Sequence, residues 1–330
     1  MASYALFKTY TVLIVGIFSG YLFQKLSDKK KWLTEKSKRQ ISIFLQKFAM
    51  LGLLSITYIG SLWVYKIENI SKVITIPFVG MIPVLAGGFL AMNFAKYRGY
   101  SRVDVGSMFS CGYFSNHTSL GAMICFFYFG EVGFALVPIF TFFERLLYFG
   151  LGYPIANIYS KDKNMVKKGK PILKIIEVIM DPFFYIGVGS IVIGFLLNIS
   201  SLQRPVIFGQ INEVVIPLNT YILLFSIGIT FKFRQVFKYL KECFYISFIK
   251  FFLVPLITLV VAFSLGYHET NLGLLLKVTL VLSAMPVAFN SVIAANIYNL
   301  NIDLVNSCWI FTTLSTIIIL PLLEMFIGIF

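Results

Sequence analysis

Apolar residues along this 330-residue chain occur in long runs that are separated by short polar segments. A helix needs about 20 apolar residues to cross the hydrocarbon core of a bilayer, and each run supplies that number with modest tilt. The pattern therefore predicts an all-α polytopic membrane protein with ten transmembrane helices. The predicted spans are residues 4–25, 41–65, 74–95, 105–129, 132–159, 182–199, 207–230, 243–266, 273–299 and 304–330.

The ninth predicted span contains the sequence AMPVAFNS at residues 284–291, which is unusual for membrane depth. Pro286 has no backbone N–H and its ring blocks a carbonyl one turn earlier, so the helix is predicted to break there. The backbone groups freed by a break cannot face lipid and have to be met by protein, water or a ligand. Many transporters build a binding site at the middle of the membrane from broken helices of this kind.

The fourth predicted span contains five consecutive polar residues in the sequence SNHTSLG at residues 115–121. Such a cluster is predicted to face the protein interior or a water-filled cavity. If the two breaks cross, helix N-termini with partial positive charge would meet amide side chains, a combination that suits a carboxylate. The alternative is that these amides and hydroxyls only join neighbouring helices. The residues predicted to bind substrate are Ser115, Asn116, Thr118, Pro286, Asn290 and Ser291.

The two halves of the chain show weak internal similarity at a nearly constant offset. Three pairs of positions are separated by 174, 172 and 174 residues, and such a constant shift indicates a repeat. Each half has five predicted spans, an odd number, so the repeat is predicted to be inverted. The pairs are Gly20 with Gly194, Pro83 with Pro255, and Asn116 with Asn290.

This repeat predicts the domain organisation. Residues 1–160 would form the first five-helix repeat, residues 161–181 a basic cytoplasmic linker, and residues 182–330 the second repeat. The predicted transport core consists of spans three to five and eight to ten. The remaining spans, which are the first, second, sixth and seventh, are predicted to form a scaffold against which this core moves by alternating access.

Composition and charge support a membrane location. The chain is 58% hydrophobic, with a mean hydropathy of +0.85, which is too high for a soluble domain of this size. A net charge of +14 would suit nucleic acid only on a soluble basic face, so no nucleic-acid partner is predicted. The Lys and Arg residues instead cluster after the first, third, fifth and seventh predicted spans. The positive-inside rule places these loops in the cytoplasm beside membrane lipid, with both termini outside a plasma membrane.

Three charged or titratable residues at membrane depth are candidates for ion coupling. Glu144 could titrate or bind a cation, or could form an ion pair between helices. Lys250 could face the substrate, or could extend to the lipid headgroups. His117 could relay protons, or could be a packed, hydrogen-bonded histidine. Coupling to H⁺, to Na⁺ or to no ion therefore stays open at this point, as does a homodimer.

The sequence predicts no cofactor, metal site or enzymatic activity. The four cysteines have no paired spacing, and no phosphate-binding GxxxxGK[ST] motif occurs. A membrane-embedded transferase would need His near Asp or Glu in a catalytic set, and a channel would need charge rings or a repeated carbonyl filter. These two classes remain the alternatives to a secondary transporter. The cysteines are Cys111, Cys125, Cys243 and Cys308.

The motifs in four predicted spans resemble the auxin efflux carrier family of membrane transport proteins, which includes bacterial malonate and malate carriers. The ninth-span sequences LSAMPVAFN (282–290) and AANIY (294–298) are its most specific part. The other matching sequences are SNHTSLG (115–121), NTYILLFSIG (219–228) and KFFLVP (250–255).

This resemblance covers essentially the whole chain. It implies ten helices in two inverted repeats, a scaffold, a transport domain with helix crossovers, and small organic anions, either carboxylates or auxin-like molecules, as substrates. The family usually has a proline shortly after the fourth-helix asparagine, whereas Met123 stands near that place here. Because glycine breaks a helix less strongly than proline, a weaker break is expected in the fourth span.

Overall fold

The computed structural model describes residues 2–64, 70–161, 182–200, 202–229, 233–269 and 271–329, and their regular structure is helical. Most of the predicted linker, residues 162–181, lies outside the described residues. The helices are α1 Ala2–Lys30, α2 Glu35–Phe48, α3 Leu54–Val64, α4 Ile70–Tyr97, α5 Arg102–Tyr113, α6 Ala122–Phe140, α7 Glu144–Leu147, α8 Tyr153–Ile158, α9 Pro182–Ile199, α10 Ile207–Ile229, α11 Leu240–Phe248, α12 Val254–Ser264, α13 Leu274–Ser283, α14 Phe289–Ile297 and α15 Ile302–Ile329.

Seven helical segments of the described residues are long and apolar enough to cross a membrane. Two further apolar helices are shorter, Tyr185–Ile199 and Leu274–Ser283. The prediction of a helical membrane protein is therefore confirmed, with fewer full-length spans than the ten predicted. The long segments are Tyr4–Lys30, Lys36–Trp63, Ser71–Tyr97, His117–Ile158, Ile207–Ile229, Val236–Ser264 and Ile302–Ile329.

One of these segments, His117–Ile158, is 42 residues long and contains parts of two predicted spans, the fourth and the fifth. It bends at Gly130, whose φ of 65° and ψ of −158° are not helical. A side chain would strain this backbone, and glycine avoids that strain. The fourth predicted span ends at residue 129 and the fifth begins at residue 132, so the bend lies between them. The sequence pattern predicts a turn of the chain at this place.

The chain forms two compact units. The first consists of Met1–Glu68, Thr118–Pro138 and Pro182–Phe231. Within it, α1 packs along α10 with very close backbones. A Cβ atom on Gly20 would stand 2.2 Å from the carbonyl oxygen of Phe225, and one on Gly228 would stand 2.3 Å from that of Ile17. Small residues at such contacts let membrane helices gain van der Waals energy by close approach.

A polar network in this first unit joins the Gly130 bend to α10 and α3. Both nitrogens of the Arg204 guanidinium fork bind the Glu131 carboxylate, at 2.8 and 3.1 Å. The Asn212 amide donates to the same carboxylate at 2.7 Å and to the Ser61 hydroxyl at 2.9 Å. Paired, charge-assisted hydrogen bonds of this kind are among the stronger polar contacts in proteins.

We expect Arg204→Ala to lower the free energy of unfolding by about 1–3 kcal/mol, because the charge-assisted bonds to Glu131 are lost. The melting temperature of the detergent-purified protein measures this effect. Lys241→Ala is the control, since Lys241 is an exposed cation. Equal melting temperatures for Arg204→Ala and the wild type would contradict the expected role of the network.

The second unit consists of Asn69–His117, Ile139–Asp181 and Lys232–Phe330. Its helix α4 packs along α5, and α12 packs against both α4 and α13. Two glycines bring α4 and α5 close together: a Cβ atom on Gly112 would stand 2.1 Å from the carbonyl oxygen of Gly87. Contact with the Gly87 backbone thus sets the position of the last turn of α5. This turn comes immediately before the polar cluster of the fourth predicted span.

Candidate functional site

Two helix breaks of the second unit meet in a short antiparallel pairing of extended backbone. Helix α5 ends at Tyr113, α13 ends at Ser283, and Ser115 lies opposite Val287. The N–H of Asn116 donates to the carbonyl of Pro286, and the N–H of Ala288 donates to that of Phe114, both at 3.0 Å. The backbone groups that the breaks free from the helices are thus largely satisfied by each other.

Pro286 explains the second break. An α-helix continued through this residue would need its N–H as a donor to the carbonyl of Leu282, and proline has none. The helix ends one residue after Leu282. The next helix, α14, begins after the extended residue Ala288, which has φ −87° and ψ 158°.

The first break forms without a proline, through contacts with other helices. The hydroxyl of Tyr148 accepts the N–H of Ser115 at 3.0 Å and donates to the carbonyl of Ser115 at 3.2 Å. The ring of Phe114 packs edge-on against the Tyr148 ring, with centroids 4.7 Å apart. Across the pairing, the hydroxyl of Thr312 accepts the N–H of Val287 at 3.2 Å. A weaker break was expected in the fourth span because Met123 stands near the place where the family has a proline. The break forms nevertheless, because these tertiary contacts hold the backbone in its extended conformation.

Half-buried polar side chains follow each break. Asn116 lies directly after the paired residue Ser115, and Asn290 is the second residue of α14; both are half-buried. Ser291 is buried and its hydroxyl donates to the carbonyl of Ala288 at 2.7 Å, which stabilises the first turn of α14. Among the candidate residues, hydrogen bonds of the main chain bring Ser115, Asn116 and Pro286 together.

Thr118 differs from the other candidate residues. It lies in the π-helical turn His117–Gly121 and is half-buried. Along the chain it is also the first residue of the Thr118–Pro138 segment that belongs to the first unit. The fourth predicted span is therefore divided between the two units at the residue that follows His117.

His117 and Glu144 form a buried pair close to the breaks. Their Nδ1 and Oε2 atoms are 2.6 Å apart, and the side chains are 1% and 7% exposed. An ionised Glu144 can only accept, so Nδ1 of His117 then carries the hydrogen. The other ring nitrogen, Nε2, is buried and has no hydrogen-bond partner among the described residues.

Lys250 is fully buried in the π-helical turn Ile249–Leu253. Its ammonium group donates to the carbonyl of Gly112 at 3.2 Å and to the hydroxyl of Ser115. The side chain thus points to the first break rather than to a lipid headgroup. Turns of this type insert an extra residue into a helix and are frequent at functional sites.

Two residues of this site, Tyr148 and Thr312, were not predicted from the sequence. Tyr148 follows Glu144 by four residues, a spacing that places both on one helix face, and this spacing was the available signal. Thr312 lies among several hydroxyl residues of α15 and has no distinguishing pattern. How close the other site residues lie to one another depends on packing between helices that are far apart in sequence.

The chain resembles a protein that is described as a transporter. The chain is 22% identical over 265 residues to a protein of Methanothermobacter thermautotrophicus described as an uncharacterized transporter. The match covers 79% of this chain and 81% of that protein. No family model matches the chain.

Proposed function

We propose that this chain is a secondary transporter that moves small organic anions across a cell membrane, with the substrate bound at the paired helix breaks. The observation that carries the proposal is the pairing of two interrupted apolar helices at a cluster of polar residues. Broken helices of transporters bind substrates near the membrane midplane in this manner. The transporter of M. thermautotrophicus supports the class, since it resembles this chain over most of both lengths.

The charges near the breaks favour an anion. Lys250 contributes a buried ammonium group, and the first turn of α14 contributes N–H groups and partial positive charge beside Asn290. Asn116 and Asn290 would add amide donors that can bind a carboxylate. Carboxylates and dicarboxylates of the malonate and malate type are therefore the substrate class that we would test first.

We further propose that the chain has ten transmembrane helices in two inverted five-helix repeats. The pairing of the breaks supports this arrangement. Ser115 and Val287 are 172 residues apart, which agrees with the offsets of the sequence repeat. A pseudo-two-fold axis that relates two inverted repeats would pass close to this pairing.

Transport would occur by alternating access. The second unit contains both breaks and the predicted transport core apart from residues 118–138, whereas α1, α3, α9 and α10 of the predicted scaffold belong to the first unit. We propose that the second unit moves relative to the first and exposes the paired breaks to one side of the membrane at a time.

Single-cysteine labelling tests this function without knowledge of the substrate. In a background without the four native cysteines, all of which are buried, Asn116→Cys and Asn290→Cys are treated with a membrane-impermeant thiol reagent from either side. We expect both positions to react from both sides. The control Met108→Cys replaces a fully buried residue and should be protected. Protection of both test positions from both sides would contradict the site, and ion conductance through the protein would indicate a channel instead.

Substrate uptake into proteoliposomes then measures the role of the two amides. Loss of a hydrogen bond to a charged group costs about 1.5–3 kcal/mol, so we expect Asn116→Ala and Asn290→Ala each to weaken carboxylate affinity about 10–100-fold. Asn198→Ala is the matched control, because this amide donates to the carbonyl of Leu62 in the first unit. Wild-type affinity in both test variants would exclude these amides from the site.

A further inference from the structure

The ammonium group of Lys250 binds two oxygen atoms at the first helix break. One is the carbonyl oxygen of Gly112, 3.2 Å away, and the other is the hydroxyl oxygen of Ser115. Lys250 is 0% exposed, so water does not share in its solvation at this position. All three residues belong to the second unit. The positive charge is therefore held at the end of the broken helix itself.

The carbonyl of Gly112 needs this partner because of the pairing between the breaks. In an uninterrupted α-helix it would accept the N–H of Asn116, four residues later. That N–H instead donates to the carbonyl of Pro286. The Gly112 carbonyl is left at the C-terminal end of α5, where the helix dipole concentrates partial negative charge. A cation is favoured at this point.

A carboxyl group also acts on Lys250. Glu144, which is 7% exposed, interacts electrostatically with the ammonium group. Carbonyl, hydroxyl and carboxylate oxygens are the ligands that hard cations take from proteins. In transporters with broken helices, unwound carbonyls and helix C-terminal ends coordinate Na⁺. Here the ammonium group of a lysine lies among the same kinds of oxygen.

We propose that Lys250 is a tethered cation that takes the place of Na⁺ at the paired breaks, so that this chain works without Na⁺. The proposal deepens the carrier function above and rests on it for its consequence in transport. Because the amino group is covalently attached, it stays with the protein through the cycle, and no Na⁺ has to be bound and released. Among the residues that the structure describes, Glu144 and Cys111 are the titratable groups that act on it, and His117 is linked to it through Glu144.

The test measures cation binding by the purified full-length protein. Its melting temperature is compared in NaCl and in choline chloride at equal ionic strength. We expect wild-type protein to melt at the same temperature in both salts. Lys250→Ala removes the ammonium group and leaves space among the oxygens, so its lowered melting temperature should rise saturably with Na⁺. Lys250→Met removes the charge but fills the space, and it should not respond to Na⁺.

Two results would overturn the proposal. The first is a saturable rise in the melting temperature of wild-type protein with Na⁺, which requires no variant to fold. The second is an identical melting temperature of Lys250→Ala in the two salts. If Lys250→Ala aggregates in choline chloride, its yield on purification in each salt replaces the melting temperature, and equal yields overturn the proposal. Because the readout is cation binding, a failure of the uptake experiments would be recognised separately.

Discussion

Gly112→Ala is expected to destabilise the protein although alanine is the better helix former. The added Cβ atom would lie 2.1 Å from the carbonyl oxygen of Gly87 and 2.7 Å from the Cβ atom of Ala91. The first contact is with backbone, so α4 and α5 have to separate to relieve it. Overpacking of this kind typically costs about 1–3 kcal/mol, and the helix propensity of alanine returns up to about 1 kcal/mol. Thermal unfolding in detergent measures the net loss.

The matched control for this prediction is Gly187→Ala. Gly187 also lies in a helix, α9, but a Cβ atom there meets nothing within 4 Å. We expect this variant to melt at or above the wild-type temperature, because only the gain in helix propensity remains. A Gly112→Ala protein as stable as Gly187→Ala would show that the glycine contact is not required. The shift of α5 should also move the Gly112 carbonyl away from Lys250 and reduce transport.

Glu144→Ala is expected to have the largest effect of any single charge removal in the second unit. It removes the acceptor that the Nδ1 atom of His117 uses and the carboxyl group that acts electrostatically on the fully buried Lys250. A buried polar group left without its partner costs about 1–3 kcal/mol, and more when the group is charged. The exposed carboxylate of Glu213 provides the control variant, Glu213→Ala, which should melt like the wild type.

A double-mutant cycle separates this electrostatic effect from loss of packing. Lys250→Met removes the buried cation, so the double variant Glu144→Ala with Lys250→Met should be more stable than the sum of the two single losses predicts. The coupling free energy obtained from four melting curves is the decisive quantity. Strictly additive losses would mean that Glu144 and Lys250 do not stabilise each other.

Some features of the fold could be predicted from the sequence because single residues cause them. Pro286 cannot donate a backbone hydrogen bond, and the helix before it ends where that donor is missing. The turn between residues 129 and 132 was indicated by the interruption in the apolar pattern, and Gly130 supplies the backbone conformation there. Apolar length alone predicted the helical membrane class.

The first break depends on contacts between distant segments and could be predicted only in part. The polar cluster after Phe114 indicated an interior position, but Tyr148, which satisfies both backbone groups of Ser115, is 33 residues away. Hydropathy could not decide between burial and headgroup contact for Lys250. That choice depends on the π-helical turn Ile249–Leu253 and on the orphaned carbonyl of Gly112, neither of which has a sequence signature.

The backbone pairing between the breaks has a consequence for biosynthesis. Asn116 emerges from the ribosome long before Pro286, and Ser115 long before Val287, the residues with which they pair. A nascent chain that has inserted only its first half lacks these partners. Because the first break has no proline, the segment around Asn116 can continue as a regular helix until the second half is inserted. The first break would then form only when the late segment pairs with it, so chains truncated before residue 286 should keep an uninterrupted helix at this place.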